Sequence, residues 1–174
     1  ARANFAEQAI ILTEAGVDII YNESLMYRDS METLHVHEAL DNRVAWLPFF
    51  PGQPLEVIER LTDWPDLRGL VLSTFGSGNA PSNPALKSIL TAANDRGISI
   101  VNVTQCGHGA VHPERYATAR LLRDCVVIPG GDMTTEAALT KLMACLGRGF
   151  TREEARNFMA RNVRGELTRF SALT

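Results

Sequence analysis

The sequence predicts an α/β protein, a small open and mainly parallel sheet of about four strands with helices on both faces, and three observations carry that expectation. From Arg43 onward, short β-branched runs alternate with longer segments of helical periodicity, each junction marked by Gly, Pro or Asn. The runs at 44–50, 69–74 and 98–104 are apolar almost throughout, as parallel strands covered on both faces are. Pro54, Pro84 and Pro113 each stand near a helix start, where the backbone N–H has no intrahelical partner to lose. A three-layer, flavodoxin- or Rossmann-like arrangement follows, with right-handed crossovers.

Taken in order, residues 5–14 have helical character that Gly16 ends, 17–21 reads as extended, and 22–33 is polar. Residues 1–42 are therefore expected to form an N-terminal arm and connector. Strands are expected at 44–50, 69–74, 98–104 and 126–128, with a helix after each. Thr151-x-x-Glu154 is a capping-box pattern for the last helix, and Gly97, Gly147 and Gly165 stand where helices would stop.

At 174 residues the chain suits one domain with a self-sufficient core. Its net charge of −3, from 17 basic and 20 acidic residues, gives no electrostatic footprint for nucleic acid or an anionic membrane. Three widely spaced cysteines without a Cys-x-x-Cys fit a reducing compartment, and the protein is expected to be cytoplasmic. No apolar run reaches the roughly 18 residues of a membrane span, and no signal-peptide layout opens the chain. It starts at Ala1 rather than Met, which leaves upstream residues open.

Several residues invite chemistry. The loop from Phe75 to Pro81 leaves the carboxyl end of a parallel strand, where open α/β sheets bind ligands. Its Gly76 and Gly78 permit close approach, and Asn79 either presents a carboxamide to a ligand or fills a left-handed turn. The loop is neither a dinucleotide fingerprint nor a P-loop, and Ser77 lies in no Gly-x-Ser-x-Gly elbow. His35 and His37, or His108 and His112, have metal-compatible spacing, but no companion carboxylate or cysteine accompanies them, so no metal is expected. Cys106, near His108, is either a nucleophile or a small hydrophobe. Asp132 or Thr134 can cap the helix after the fourth strand, and residues 152–156 read as a solvated helix face.

Together, LVLSTFGSGNAP (70–81), DRGISIVNVTQC (95–106), VIPGGDMTTEAALTKL (127–142) and NVRGELT (162–168) closely resemble, in order and spacing, the C-terminal domain of type I, cytoplasmic L-asparaginases. TEAGVDI (13–19), LHVH (34–37) and RVAWLPFFPG (43–52) look like the connector and first strand of that domain, and residues 5–12 match least. The resemblance divides the chain into a connector, 1–42, and an α/β domain, 43–174. It implies amide hydrolysis of asparagine, and sometimes glutamine, by a threonine nucleophile without metal or cofactor. That threonine belongs to a Thr-Gly-Gly-Thr-Ile motif of an N-terminal domain, and neither it nor His-Gly-Thr-Asp-Thr occurs here. The resemblance therefore implies no catalytic residue in this chain, inactivity without an N-terminal asparaginase domain, and a homo-oligomer.

In the family, the active site closes across a dimer, and Asn79 matches an asparagine that reaches the partner's substrate. Ser77 and Gly78 share its loop, and Tyr116 aligns with a second cross-dimer residue. Ser73 stands where several bacterial type I enzymes carry an arginine that binds regulatory asparagine. A serine offers no guanidinium fork, so Ser73, Thr104 and Cys106 are expected to line only a remnant of that pocket. Two other readings stay open: an independent amino-acid-binding or assembly module on the same fold, and an autonomous Cys106–His108 hydrolase.

Overall fold

A computed structural model describes residues 9–13, 16–20, 36–107, 109–111 and 119–168. Strands β1 (Ala9–Thr13) and β2 (Gly16–Ile20) pair antiparallel, Ala9 opposite Ile20 and Thr13 opposite Gly16. The helical character expected over 5–14 is thus overturned at 9–13. The run Ala-Ile-Ile-Leu-Thr faces a second β-branched run across two residues, and that pairing outweighs the helical period. The polar stretch 22–33 lies outside the described residues.

The domain is built on four parallel strands in the order β3-β4-β5-β6: β3 (Val44–Pro48), β4 (Gly69–Thr74), β5 (Ser99–Thr104) and β6 (Ile128–Pro129). Val44 pairs with Gly69, Gly69 with Ser99 and Val101 with Ile128. All residues of β4 and β5 are buried, which explains why neither strand carries a charged residue or alternates with a solvent-facing side. Helices α1 (Leu55–Thr62), α2 (Pro84–Asp95) and α3 (Ala119–Asp124) fill the three connections, and α4 (Thr135–Gly147) and α5 (Arg152–Ala160) follow.

Alternation along the strands divides the core in two. Leu70, Leu72 and Ile100 pack with Ile58, Leu86, Leu90 and Leu122 of α1, α2 and α3. Val71, Val101 and Val103 face the other way, onto Ala138, Leu142 and Met159 of α4 and α5. Helices therefore cover both faces, as expected, and burying each large aliphatic contributes about 1.5–3 kcal/mol.

The ends of the elements refine the sequence reading. β3 stops at Pro48, two residues early, and Pro54 is the N-cap of α1, whereas Pro84 is the first residue of α2. Pro113 lies outside the described residues. Val126 belongs to a turn with φ of 59°, so the fourth strand starts at Ile128. Gly147 ends α4 from inside: a Cβ there would stand 2.4 Å from the Ala39 carbonyl oxygen, so glycine lets residues 39–40 cross against the helix. Gly165 lies past the end of α5, which Arg161 terminates in extended conformation.

Just before β3, Asp41 accepts from Nε and Nη2 of Arg43, at 2.9 and 2.7 Å, and its own N–H donates to the Met143 carbonyl. The Arg43 guanidinium holds the Asp41 carboxyl at about 2. Its stabilisation is complete above the ordinary carboxylate range and is lost as pH falls towards 2.

Both bonds of the capping box at α5 are present: Thr151 accepts from the Glu154 N–H, and Glu154 accepts from the Thr151 N–H at 2.8 Å. Thr151→Ala should cost about 1 kcal/mol in urea unfolding. A change within a few tenths would show that α5 is held by packing alone.

Candidate functional site

The glycine loop closes on itself at the carboxyl end of β4. The Phe75 N–H donates to the Asn79 carbonyl at 3.0 Å, and the Gly78 and Asn79 N–H groups both donate to the Phe75 carbonyl. Gly78 is buried with φ of 102°, and a Cβ there would lie 2.7 Å from Val111 Cγ1. The position is closed to other residues by conformation and by space. Asn79 is half-buried at the rim, and Ser77 beside it is likewise half-buried. Among the described residues, Val126 alone of the non-glycines has positive φ. The left-handed-turn alternative for Asn79 is therefore excluded, and backbone conformation does not account for an asparagine there.

A second feature opens beside the ends of β3, β4 and β5, an open groove of about 540 Å³ that reaches the start of α4. Ser73, Thr104 and Cys106 all line it, so the structure brings together the three residues expected to form a remnant pocket. The Ser73 hydroxyl is engaged: it accepts the Trp46 indole N–H at 2.8 Å and lies 3.1 Å from the Thr135 hydroxyl. The Thr104 hydroxyl donates to the Gly76 carbonyl and accepts the Cys106 N–H at 3.0 Å. Gln105 donates to the carbonyls of Phe49 and Ser73, at 2.6 and 2.7 Å, and ties three strand ends together. Among the described residues of the lining, Glu136 is the charged one and none is Lys or Arg.

Sequence reasoning missed Trp46, Gln105, Thr135 and Glu136 in this groove. It also missed Asn102 beneath the glycine loop, although a lone carboxamide in the apolar run Ser-Ile-Val-Asn-Val-Thr was a usable signal.

The remaining candidates sort readily. Thr134 caps α4 by accepting the Ala137 N–H at 3.2 Å, whereas Asp132 accepts the backbone and hydroxyl protons of Thr168. Cys106 is exposed and free, while Cys125 and Cys145 are buried and free. His37 is exposed, and His35, His108, His112 and Tyr116 lie outside the described residues. Among the described residues, no three His, Cys, Asp or Glu side chains gather as metal ligands, and no helix is long and apolar enough to cross a membrane.

A buried ion pair anchors the last segment. Lys141 donates to the carbonyls of Met159 and Arg161 and meets Glu166 at 2.6 Å. Burial alone would raise the Glu166 carboxyl. The Lys141 ammonium and the Val163 and Arg164 N–H groups together bring it below the usual glutamate range.

Residues 43–159 match the model of the glutaminase/asparaginase C-terminal domain family. The chain is 38% identical over 157 residues to L-asparaginase 1 of Escherichia coli (strain K12), covering 90% of this chain and 46% of that protein. It is also 38% identical over 159 residues to the human 60 kDa lysophospholipase, covering 90% of this chain and 27% of the relative. Among solved structures, L-asparaginase I from Vibrio cholerae superposes with a TM-score of 0.76 at 38% identity, over 90% of this chain and 47% of that one. The chain thus spans about half the length of the bacterial proteins it matches, and about a quarter of the human one.

Proposed function

Because the chain belongs to the glutaminase/asparaginase C-terminal domain family, we propose that it acts as the C-terminal part of an amide hydrolase that converts asparagine, and glutamine as a second substrate, to the acid and ammonia. On this reading residues 43–174 are the domain and 1–42 its connector. The nucleophile comes from an N-terminal domain carrying Thr-Gly-Gly-Thr-Ile, and this domain contributes a substrate-positioning loop and contacts within a homo-oligomer.

The observation that carries the proposal is the glycine loop. It is closed by its own backbone bonds, and its Asn79 stands at the rim without a conformational reason to be asparagine. A carboxamide offers a donor and an acceptor, which suits the amino-acid end of an amide substrate held in one orientation. Ser77 and Gly78 shape that loop, and Tyr116 is proposed as its companion across the dimer. The groove of Ser73, Thr104 and Cys106 is proposed to be a remnant. Its described lining offers Glu136 and no Lys or Arg to a ligand carboxylate, so asparagine is not expected to regulate the enzyme there. Three unbridged thiols fit a reducing cytoplasm.

Ammonia release tests the proposal. The 174-residue chain alone should leave asparagine and glutamine at background, and co-expression with an N-terminal asparaginase domain should produce turnover. Robust hydrolysis by the chain alone, abolished by Cys106→Ala, would instead establish a thiol enzyme.

A further inference from the structure

We propose that Asn102, oriented by Thr74, is the positioning residue that fixes the peptide carrying Asn79; the inference rests on the reading of Asn79 just given.

Asn102 sits in β5, where every residue is buried, and it is 3% exposed. A carboxamide there is costly unless each polar atom finds a partner. Its Nδ2 donates to the Gly78 carbonyl at 3.2 Å, and its Oδ1 accepts the Thr74 hydroxyl at 2.7 Å. The chemistry fixes the orientation of the amide: a backbone carbonyl only accepts, so the NH2 must face Gly78, and Oδ1 must then take the Thr74 proton. Thr74, fully buried at the end of β4, has its other acceptor, the Val103 carbonyl, at 3.4 Å.

What is held matters more than the bonds themselves. The Gly78 carbonyl belongs to the planar peptide that leads into Asn79, so restraining it sets the plane from which the Asn79 side chain departs. Val111 closes the space beneath Gly78. The Asn102 backbone carbonyl accepts the Gly130 N–H at 2.7 Å, which ties the residue to the β6 turn as well. An apolar residue at 102 would leave the Gly78 carbonyl without this donor, so the peptide would be held from its other side, through the Asn79 N–H and the Phe75 carbonyl.

Amide hydrogen exchange on the 174-residue chain is the first readout, with Thr74→Val, Thr74→Ser and Asn102→Leu. Thr74→Val and Asn102→Leu should speed exchange at Gly78 and Asn79 about tenfold or more, with Val71 and Val101 unchanged. Thr74→Ser, which keeps the hydroxyl, should restore wild-type protection. Unchanged loop exchange, uniform acceleration throughout the core, or failure of both Thr74→Val and Asn102→Leu to fold would overturn the inference.

In the chain assembled with an N-terminal asparaginase domain, Thr74→Val should lower kcat/KM about tenfold and Thr74→Ser should recover it. A loosened loop with intact kcat/KM would also overturn the positioning role. If Asn79→Ala is itself silent, the reading of the loop fails, whatever the exchange result.

Discussion

Asn79→Ala, in the chain assembled with an N-terminal asparaginase domain, is expected to lose about 10- to 100-fold in kcat/KM with little change in thermal stability. The loss corresponds to about 1.5–3 kcal/mol, the worth of a positioned hydrogen bond to a charged ligand. Stability should hold because the loop is closed through backbone groups that alanine keeps: the Phe75 N–H to the Asn79 carbonyl, and the Asn79 N–H to the Phe75 carbonyl. Both quantities belong on one sample. A Tm drop with unchanged kinetics of the folded fraction would make Asn79 a structural residue, and wild-type values throughout would remove it from the site.

Lys141→Met should be the most damaging single change to the fold away from the apolar core, at about 3 kcal/mol in urea unfolding. The substitution keeps the length of the stem while removing the ammonium. It leaves Glu166 with backbone donors but no counter-charge, and it strips a donor from the Met159 and Arg161 carbonyls. Limited proteolysis should then cut first within 161–168. A loss below about 1 kcal/mol, the range of an exposed pair, would show that water reaches this site. The sign with pH follows from Glu166, whose folded pKa is lowered. Its contribution is complete above the unfolded value of about 4.3 and fades as pH falls below it. Glu166→Gln should remove that acid-dependent component.

The central fold was legible because burial writes itself into sequence. β4 and β5 carry no charged residue and centre on aliphatic side chains, and Pro84 and Thr151 mark helix starts by local chemistry that tertiary context did not override. The paired strands 9–13 and 16–20 were misread at the first of them, since five residues are too few for period 2 to be told from period 3.6. β6 was misplaced because Val126 takes a turn conformation that a β-branched side chain rarely adopts. In the site, the glycine loop was visible as a motif, and Ser73, Thr104 and Cys106 line one groove. Trp46 was not visible as their neighbour: its indole reaches Ser73 across 27 residues of sequence, a distance that no local pattern encodes.

The strand order has a consequence for how an enclosed pocket can arise. In sheets whose order reverses midway, successive crossovers leave on opposite faces, and the diverging loops open a crevice at the topological switch point. Here the order runs β3-β4-β5-β6 without reversal, and α1, α2 and α3 all pack on one face. No switch point exists among the described strands of this sheet, so beyond the open groove their ends present a rim rather than an enclosed cleft. A deep pocket on that rim must borrow its opposite wall from another domain or subunit. On the proposed function, redesign of substrate choice is then best directed at that opposite wall, with this sheet left as the fixed reference against which it closes.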